Sequence, residues 1–226
     1  MVVSAVGFDL DGTLFDHRGA SADAVDTFVI ALGVTPSVDM HRRWLAIEDE
    51  QFARWRSGQV TFQEQRRRRL RAFLPAVGVD VPSGDHALDA LFDQYLDGYR
   101  AAWRPFADSV EVVSRLVADG YRVGILTNGD DRQQRDKLRV IGLAGLVHVV
   151  RTSGAMGVQK PDARAFRSLA AGLGVAEPEC LFVGDDVEAD VRGAEAAGMR
   201  ALLVDRSGEH ADGISAAVAA AVVASP

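Results

Sequence analysis

The chain has 226 residues, 48% of them hydrophobic, and a formal net charge of −7 from 25 basic and 32 acidic side chains. That length suits one large domain, or one domain carrying a smaller insertion, with enough apolar material for a sizeable core. The acidic balance disfavours nonspecific binding to nucleic acid or to an anionic membrane, and the single cysteine, Cys180, excludes an internal disulfide.

In chain order, the apolar run Val2–Phe8 is expected as a first buried strand. It has no basic leader and is too short to span a membrane, so a cytoplasmic location is expected. From about Asp16 to Trp103 the pattern changes, and no convincing strand is found. "SADAVDTFVIALG" reads as an amphipathic helix closed by Gly33, and "DMHRRWLAIEDEQFARWRSG" as a second closed by Gly58. Thr61 and Glu64 form a capping-box pattern that opens a third helix, and "DHALDALFDQYLDGYRAAW" supplies a fourth. Trp44 and Trp55 are expected in the core of this bundle, as large aromatics at helical spacing usually are.

Beyond Pro105, short apolar runs alternate with helical patterns that end in glycine. The expected strands are Arg122–Leu126, Val147–Arg151, Leu181–Val183 and Ala201–Val204. The helices are "DSVEVVSRLVADG", "DDRQQRDKLRVIG", "DARAFRSLAAGLG" and "DVEADVRGAEAAG". Cys180, in "CLFVGDD", is expected as a core thiol. The alanine-rich tail "ISAAVAAAVVASP" is expected as a last packed helix with a frayed end. Strand–helix alternation implies an α/β fold: a doubly wound parallel five-stranded, Rossmann-like sheet with helices on both faces. The expected organisation is a core of residues 1–16 and 103–226 with an inserted all-α helical domain, 17–102.

Two carboxylates, Asp9 and Asp11, stand one residue apart at the end of the first strand. Like charges that close are costly unless a cation or a reaction uses them. Thr127-Asn128-Gly129 follows the second strand, Lys160-Pro161-Asp162 precedes a helix, and Gly184-Asp185-Asp186 follows the fourth strand, with Asp190 further on. In an open parallel sheet the carboxyl ends of the strands share one edge, where ligands bind. Carboxylates, a hydroxyl and an ammonium converging there suit phosphoryl transfer. A carboxylate attacks phosphorus, Mg²⁺ neutralises oxygen ligands, cationic and hydroxyl donors hold the phosphoryl oxygens, and a second carboxylate moves protons.

"FDLDGTL", "LTNG", "KPD" and "GDDVEAD" resemble, in order, the four motifs of the haloacid dehalogenase-like hydrolase superfamily, with an insertion where its helical-cap phosphatases carry one. The resemblance spans nearly the whole chain. It implies that Asp9 is the nucleophile and Asp11 the general acid and base. It implies that Thr127, Asn128 and Lys160 bind phosphate, and that Asp9, the Asp11 main-chain carbonyl and Asp185 hold Mg²⁺. Asp186 or Asp190, preferably Asp190, reaches the metal through water. It implies strands one and four side by side at the switch point of the sheet. The expected enzyme is a Mg²⁺-dependent phosphatase acting on a small phosphorylated metabolite through an aspartyl-phosphate, as a monomer or homodimer, without nucleic acid or membrane partners. The competing readings are a haloacid dehalogenase, against which Asp11 counts, a phosphomutase, and a non-enzymatic phosphoacceptor domain, which lacks so large an insertion.

Plainer roles compete for several residues. Asp-Gly and Asn-Gly after strands often mark only turns, Asp162 suits a helix N-cap, and Asp190 suits a solvated helix face. The arginines of "QEQRRRRLRAF" spread around a helix and read as a solvated face with Glu64–Arg68 pairing. Arg66 and Arg69 share a side with Phe62, Leu70 and Phe73 and are candidates for binding an anionic group of the substrate. His17, at the start of the insertion, is a candidate substrate contact or a surface histidine.

Overall fold

The computed structural model of the chain describes residues 2–223. In chain order its elements are β1 (Ala5–Phe8), α1 (His17–Ala31), α2 (Val38–Arg56), α3 (Phe62–Ala76), α4 (Asp85–Ala101), α5 (Ser109–Ala118), β2 (Arg122–Thr127), α6 (Asp131–Val140), β3 (Val149–Thr152), α7 (Ser153–Met156), α8 (Ala163–Leu173), β4 (Cys180–Gly184), α9 (Gly193–Ala196), β5 (Arg200–Leu203) and α10 (Ser215–Val223). A π-helical stretch, Val187–Arg192, runs directly into α9. The expected frayed tail, 224–226, lies outside the described residues.

The chain divides into two compact units: His17–Trp103, and the flanking segments up to Asp16 and from Arg104 onward. Trp103, expected in the core, groups instead with the helical unit, where its ring meets Tyr99 edge-on at 5.9 Å.

The flanking segments build a five-stranded parallel sheet in the order β3-β2-β1-β4-β5. β1 is central, and its residues Ala5 to Phe8 pair with Arg122 to Ile125 on one side and Cys180 to Val183 on the other. This register brings the carboxyl ends of β1, β2 and β4 to one level. β1, β2 and β4 carry apolar residues toward both faces, as strands covered on both sides must. Against them α8 contributes Phe166, Leu169 and Leu173, all fully buried, with Phe166 edge-on to Phe182 at 5.0 Å. Each such side chain contributes roughly 1.5–3 kcal/mol by leaving water. The Cys180 thiol is buried, and burial pushes its pKa up to about 12.

Several expected boundaries shift for identifiable reasons. β1 begins at Ala5 because Val2 stands out in solvent, 84% exposed. The sequence suggested buried strands throughout, but β3 and β5 are only half-buried, since they are the sheet's edges. "DVEADVRGAEAAG", expected as an α-helix, instead begins with the π-helical stretch Val187–Arg192, a wide turn that recurs at functional sites.

The helical unit contains no strand among the described residues. Its centre is Trp44, fully buried, with ring centroids of Phe73, Phe92 and Tyr95 at 4.9, 6.2 and 4.5 Å. Trp55 is half-buried at the edge, against Phe52 and Phe62. Thr61 caps α3 by accepting from the Glu64 amide at 3.1 Å. Among the described residues no helix is long and apolar enough to cross a membrane.

Candidate active site

At the end of β1 the chain turns sharply through Leu10–Phe15. The amides of Leu14 and Phe15 both donate to the Leu10 carbonyl, at 3.0 and 2.8 Å, and the Gly12 amide donates to the Phe15 carbonyl at 2.9 Å. Gly12 has φ +92°, and a Cβ there would run into the Asp185 carboxylate. Glycine is therefore required twice over, by backbone conformation and by the approach of the acid. The Asp9 amide, one step past the strand, donates to the Val183 carbonyl at 2.9 Å. That bond aligns Asp9 with Asp185, two residues beyond Val183.

Lys160 lies between two buried acids. Its Nζ is 2.5 Å from Asp9 Oδ1 and 2.6 Å from Asp190 Oδ1, and all three residues are at most 6% exposed. The π-helical turn delivers Asp190 to this position. Asp190 Oδ2 also accepts from the Asp186 amide at 3.1 Å, and Gly184 leaves the space its carboxylate occupies. Thr13 Oγ1 stands 3.2 Å from Asp185 Oδ1 and 3.5 Å from Asp9 Oδ2, joining the two acids through one hydroxyl. Asp9, Asp185 and Asp190 each offer a carboxylate oxygen within 4.8 Å of the others.

The electrostatics follow from this crowding. Burial raises the pKa of Asp9 well above the usual carboxylate value; Lys160 opposes the rise, while Asp190 and Asp185 add to it. Asp185 is open to solvent as a residue, but its carboxylate faces the other acids. Desolvation there and the Asp190 charge push its pKa up to about 6, against Lys160 and Thr13. Burial disfavours the Lys160 ammonium, yet Asp9 and Asp190 outweigh it and hold the group above the ordinary lysine range. Two acids pair with Lys160 and a third, Asp185, stands beside them, so the cluster carries unbalanced negative charge and presents hard oxygen donors. A small divalent cation fits such a donor set.

Asp11 occupies a different corner of the same edge. Its Oδ1 accepts from Lys137 Nζ at 2.6 Å and its Oδ2 from Gln134 Nε2 at 2.8 Å. Gln134 Nε2 also donates to Thr127 Oγ1 at 2.6 Å, so Asp11 and Thr127 are one amide apart. Sequence reasoning missed Gln134 and Lys137. The available signal was their place on the inward stripe of α6 with Leu138 and Ile141, where an amphipathic helix ordinarily carries apolar residues. Arg206 was also missed. It donates to the Thr13 carbonyl at 2.9 Å and to Asp108 at 2.7 Å, bracing the turn after β1.

The remaining candidates have other engagements. Both ends of the Asn128 amide pair with the Lys160 main chain, at 3.0 and 2.9 Å, which fixes the lysine's backbone against the turn after β2. Asp186 caps the π-helical stretch by accepting from the Glu188 and Ala189 amides at 2.8 and 2.9 Å. Asp162 caps α8 by accepting from the Arg164 amide at 2.9 Å.

His17, Arg66 and Arg69 belong to the helical unit. His17 Nδ1 pairs with the Tyr99 hydroxyl at 2.7 Å, and its Nε2 lies 3.5 Å from Glu48. Arg69 departs from the solvated face expected of the arginine run. It is 3% exposed, pairs with Glu48 at 3.1 Å, and lies 4.5 Å above the Trp44 ring. Arg67, Arg68 and Arg71 do take surface ion pairs, including the expected Glu64–Arg68 at 3.1 Å. Arg66 is half-buried, 4.6 Å above Phe62.

A parallel five-stranded sheet with a lysine-linked acid cluster at its carboxyl edge and an all-α insertion after β1 defines an α/β protein with a candidate site at the strand ends. The chain belongs to the haloacid dehalogenase-like hydrolase family, whose model matches residues 3–198. It is 35% identical to a phosphatase of Mycobacterium tuberculosis over 95% of this chain and 93% of that one. Its fold is similar to that of YfnB of Bacillus subtilis, solved bound to magnesium: TM-score 0.76, 21% identity, 92% of this chain and 90% of that one. It is also similar to the defluorinating L-2-haloacid dehalogenase Rha0230, with TM-score 0.71, 26% identity, and 91% and 82% of the two chains covered.

Proposed function

We propose that this chain is a cytoplasmic, Mg²⁺-dependent phosphatase that hydrolyses a small phosphomonoester through a phosphorylated Asp9. The observation that carries the reading is the buried Asp9–Lys160–Asp190 group with Asp185 alongside and Asp11 tied to Thr127. Lys160 holds one Asp9 oxygen in place, and the other, Oδ2, accepts from Thr13 Oγ1, which also donates to Asp185.

Asp9 attacks phosphorus; the bond to the ester oxygen breaks, and Asp11 gives that oxygen a proton. Asp11 then takes a proton from water, the water oxygen attacks the same phosphorus, and inorganic phosphate leaves with Asp9 restored. Thr127 and Lys160 hold the phosphoryl oxygens as charge shifts among them. Asn128 acts through Lys160, whose main chain it grips. Asp9, the Asp11 main-chain carbonyl and Asp185 would hold Mg²⁺, which offsets the charge of carboxylates and phosphate when bound. Asp190, rather than Asp186, supports that set, because Asp186 is occupied as a helix cap. The inserted unit, His17–Trp103, serves as the cap that selects the substrate.

The likeness to Rha0230 favours dehalogenation as the second reading. Asp11 argues against it, since displacing halide needs no proton donor for the leaving group. The test is a panel of phosphorylated metabolites and 2-haloacids, with and without Mg²⁺. Phosphate release that needs Mg²⁺ supports the proposal, and halide release without metal overturns it.

A further inference from the structure

We infer that Lys137 and Gln134 are positioning residues that aim the Asp11 carboxylate and couple it to Thr127; the inference rests on Asp11 being the proton-transfer group. Both side chains come from one face of α6, three residues apart, and each is 2% exposed. A buried ammonium is costly unless it meets a charge. Lys137 meets Asp11 Oδ1 at 2.6 Å, with its Nζ 4.6 Å from the Phe15 ring centroid. Asp11 itself keeps 28% of its side chain open to solvent. The pair therefore has a closed end and an open end: the lysine is packed away, and the carboxylate it steers faces outward.

Gln134 adds direction. Its amide nitrogen carries two hydrogens, and the two acceptors it reaches are Asp11 Oδ2 and Thr127 Oγ1, at 2.8 and 2.6 Å. Both Asp11 oxygens are thus set by α6, which removes the freedom of the carboxylate to rotate. Thr127 accepts from the amide, so its own hydroxyl hydrogen remains to be donated to a phosphoryl oxygen. The same helix begins four residues after Thr127, so any shift of α6 moves proton donor and phosphate-binding hydroxyl together. A purely structural salt bridge has no need of the Thr127 link.

The test uses Lys137→Met and Gln134→Leu, each alone and combined with Asp11→Asn, in the full chain with Mg²⁺. Single-turnover formation of the phospho-enzyme is followed on p-nitrophenyl phosphate and on glycerol phosphate. An alkyl leaving group needs a proton and p-nitrophenolate does not. Each single variant is expected to lose about 10²-fold in rate on glycerol phosphate and far less on p-nitrophenyl phosphate, with KM nearly unchanged. Added to Asp11→Asn, neither should cause a further loss beyond about 3-fold, since they act through the same group. Equal losses on both substrates, or losses that multiply with Asp11→Asn, overturn the inference while leaving Asp11 in its role. If Asp11→Asn itself shows no preference between the substrates, the reading of Asp11 fails and the inference fails with it. Should Lys137→Met not fold, Gln134→Leu, which leaves the ion pair intact, decides the question.

Discussion

Lys160 holds its ammonium 2.5 Å from the Asp9 carboxylate in a place neither residue shares with solvent. A carboxylate so placed, the nucleophile of the proposed mechanism, is oriented before any substrate arrives. Asp9→Asn keeps the shape of the side chain and removes its nucleophilicity. Lys160 retains Asp190 at 2.6 Å, so the fold should survive. Phosphate release should be abolished while the thermal melt stays within a few degrees of the parent. Retention of most of the activity would remove Asp9 from the chemistry.

The second prediction concerns metal. Chelation by EDTA should abolish turnover and Mg²⁺ should restore it. Ca²⁺ should occupy the site yet support little activity, because its larger and looser shell misplaces the oxygens. Asp185→Asn should raise the Mg²⁺ concentration needed for half-maximal activity by roughly tenfold or more. Activity titrated against free Mg²⁺ measures both effects, and full activity in EDTA points to the dehalogenase reading.

Arg69 and Arg66 should behave differently, although the sequence presents them as a pair. Arg69 is buried against Glu48. Arg69→Met leaves that carboxylate buried without its guanidinium and should cost about 3–5 kcal/mol, read as a lower midpoint in urea. Arg66 lies on Phe62 and is half-buried, so Arg66→Ala should cost only about 0.5–1 kcal/mol. If Arg66 recognises an anionic group, its loss lowers kcat/KM for the true substrate and not for p-nitrophenyl phosphate. A parallel fall on both substrates assigns it to packing.

The pH dependence of the helical unit provides a further check. Hydrogen bonds from Arg67 and Gln63 hold the Asp89 carboxyl below its ordinary value, at about 2. A depressed carboxylate stabilises the fold above its unfolded pKa, near 3.8, and that contribution disappears as pH falls through about 2. Asp89→Asn should therefore lower the melting temperature slightly at pH 6–7, by roughly 1–3 °C for so exposed a pair, and not at all near pH 2. Melts of both proteins across that range, at low salt, test the sign. An undiminished difference at pH 2 would mean the effect is not ionic.

By itself, the sequence determined the class of fold and which acids stand at the strand ends. Apolar runs broken by glycine fixed the number of strands, because local periodicity and turn residues act over a few positions. "DLDGT" and "GDD" were legible as site segments because their acids adjoin strands that end at one edge. Only the tertiary structure decided which polar residues meet. The spacing of Gln134 and Lys137 with Leu138 marks the inward side of a largely polar helix, but only packing of α6 brings those two side chains to Asp11. Packing likewise chose Asp190 over its neighbour Asp186 for Lys160, since the π-helical turn rotates one acid into the core and leaves the other capping its helix. It also separated Arg69 from the other arginines of its run. A helix spaces such residues evenly, and only the partner surface, here Trp44 and Glu48, determines which one leaves water.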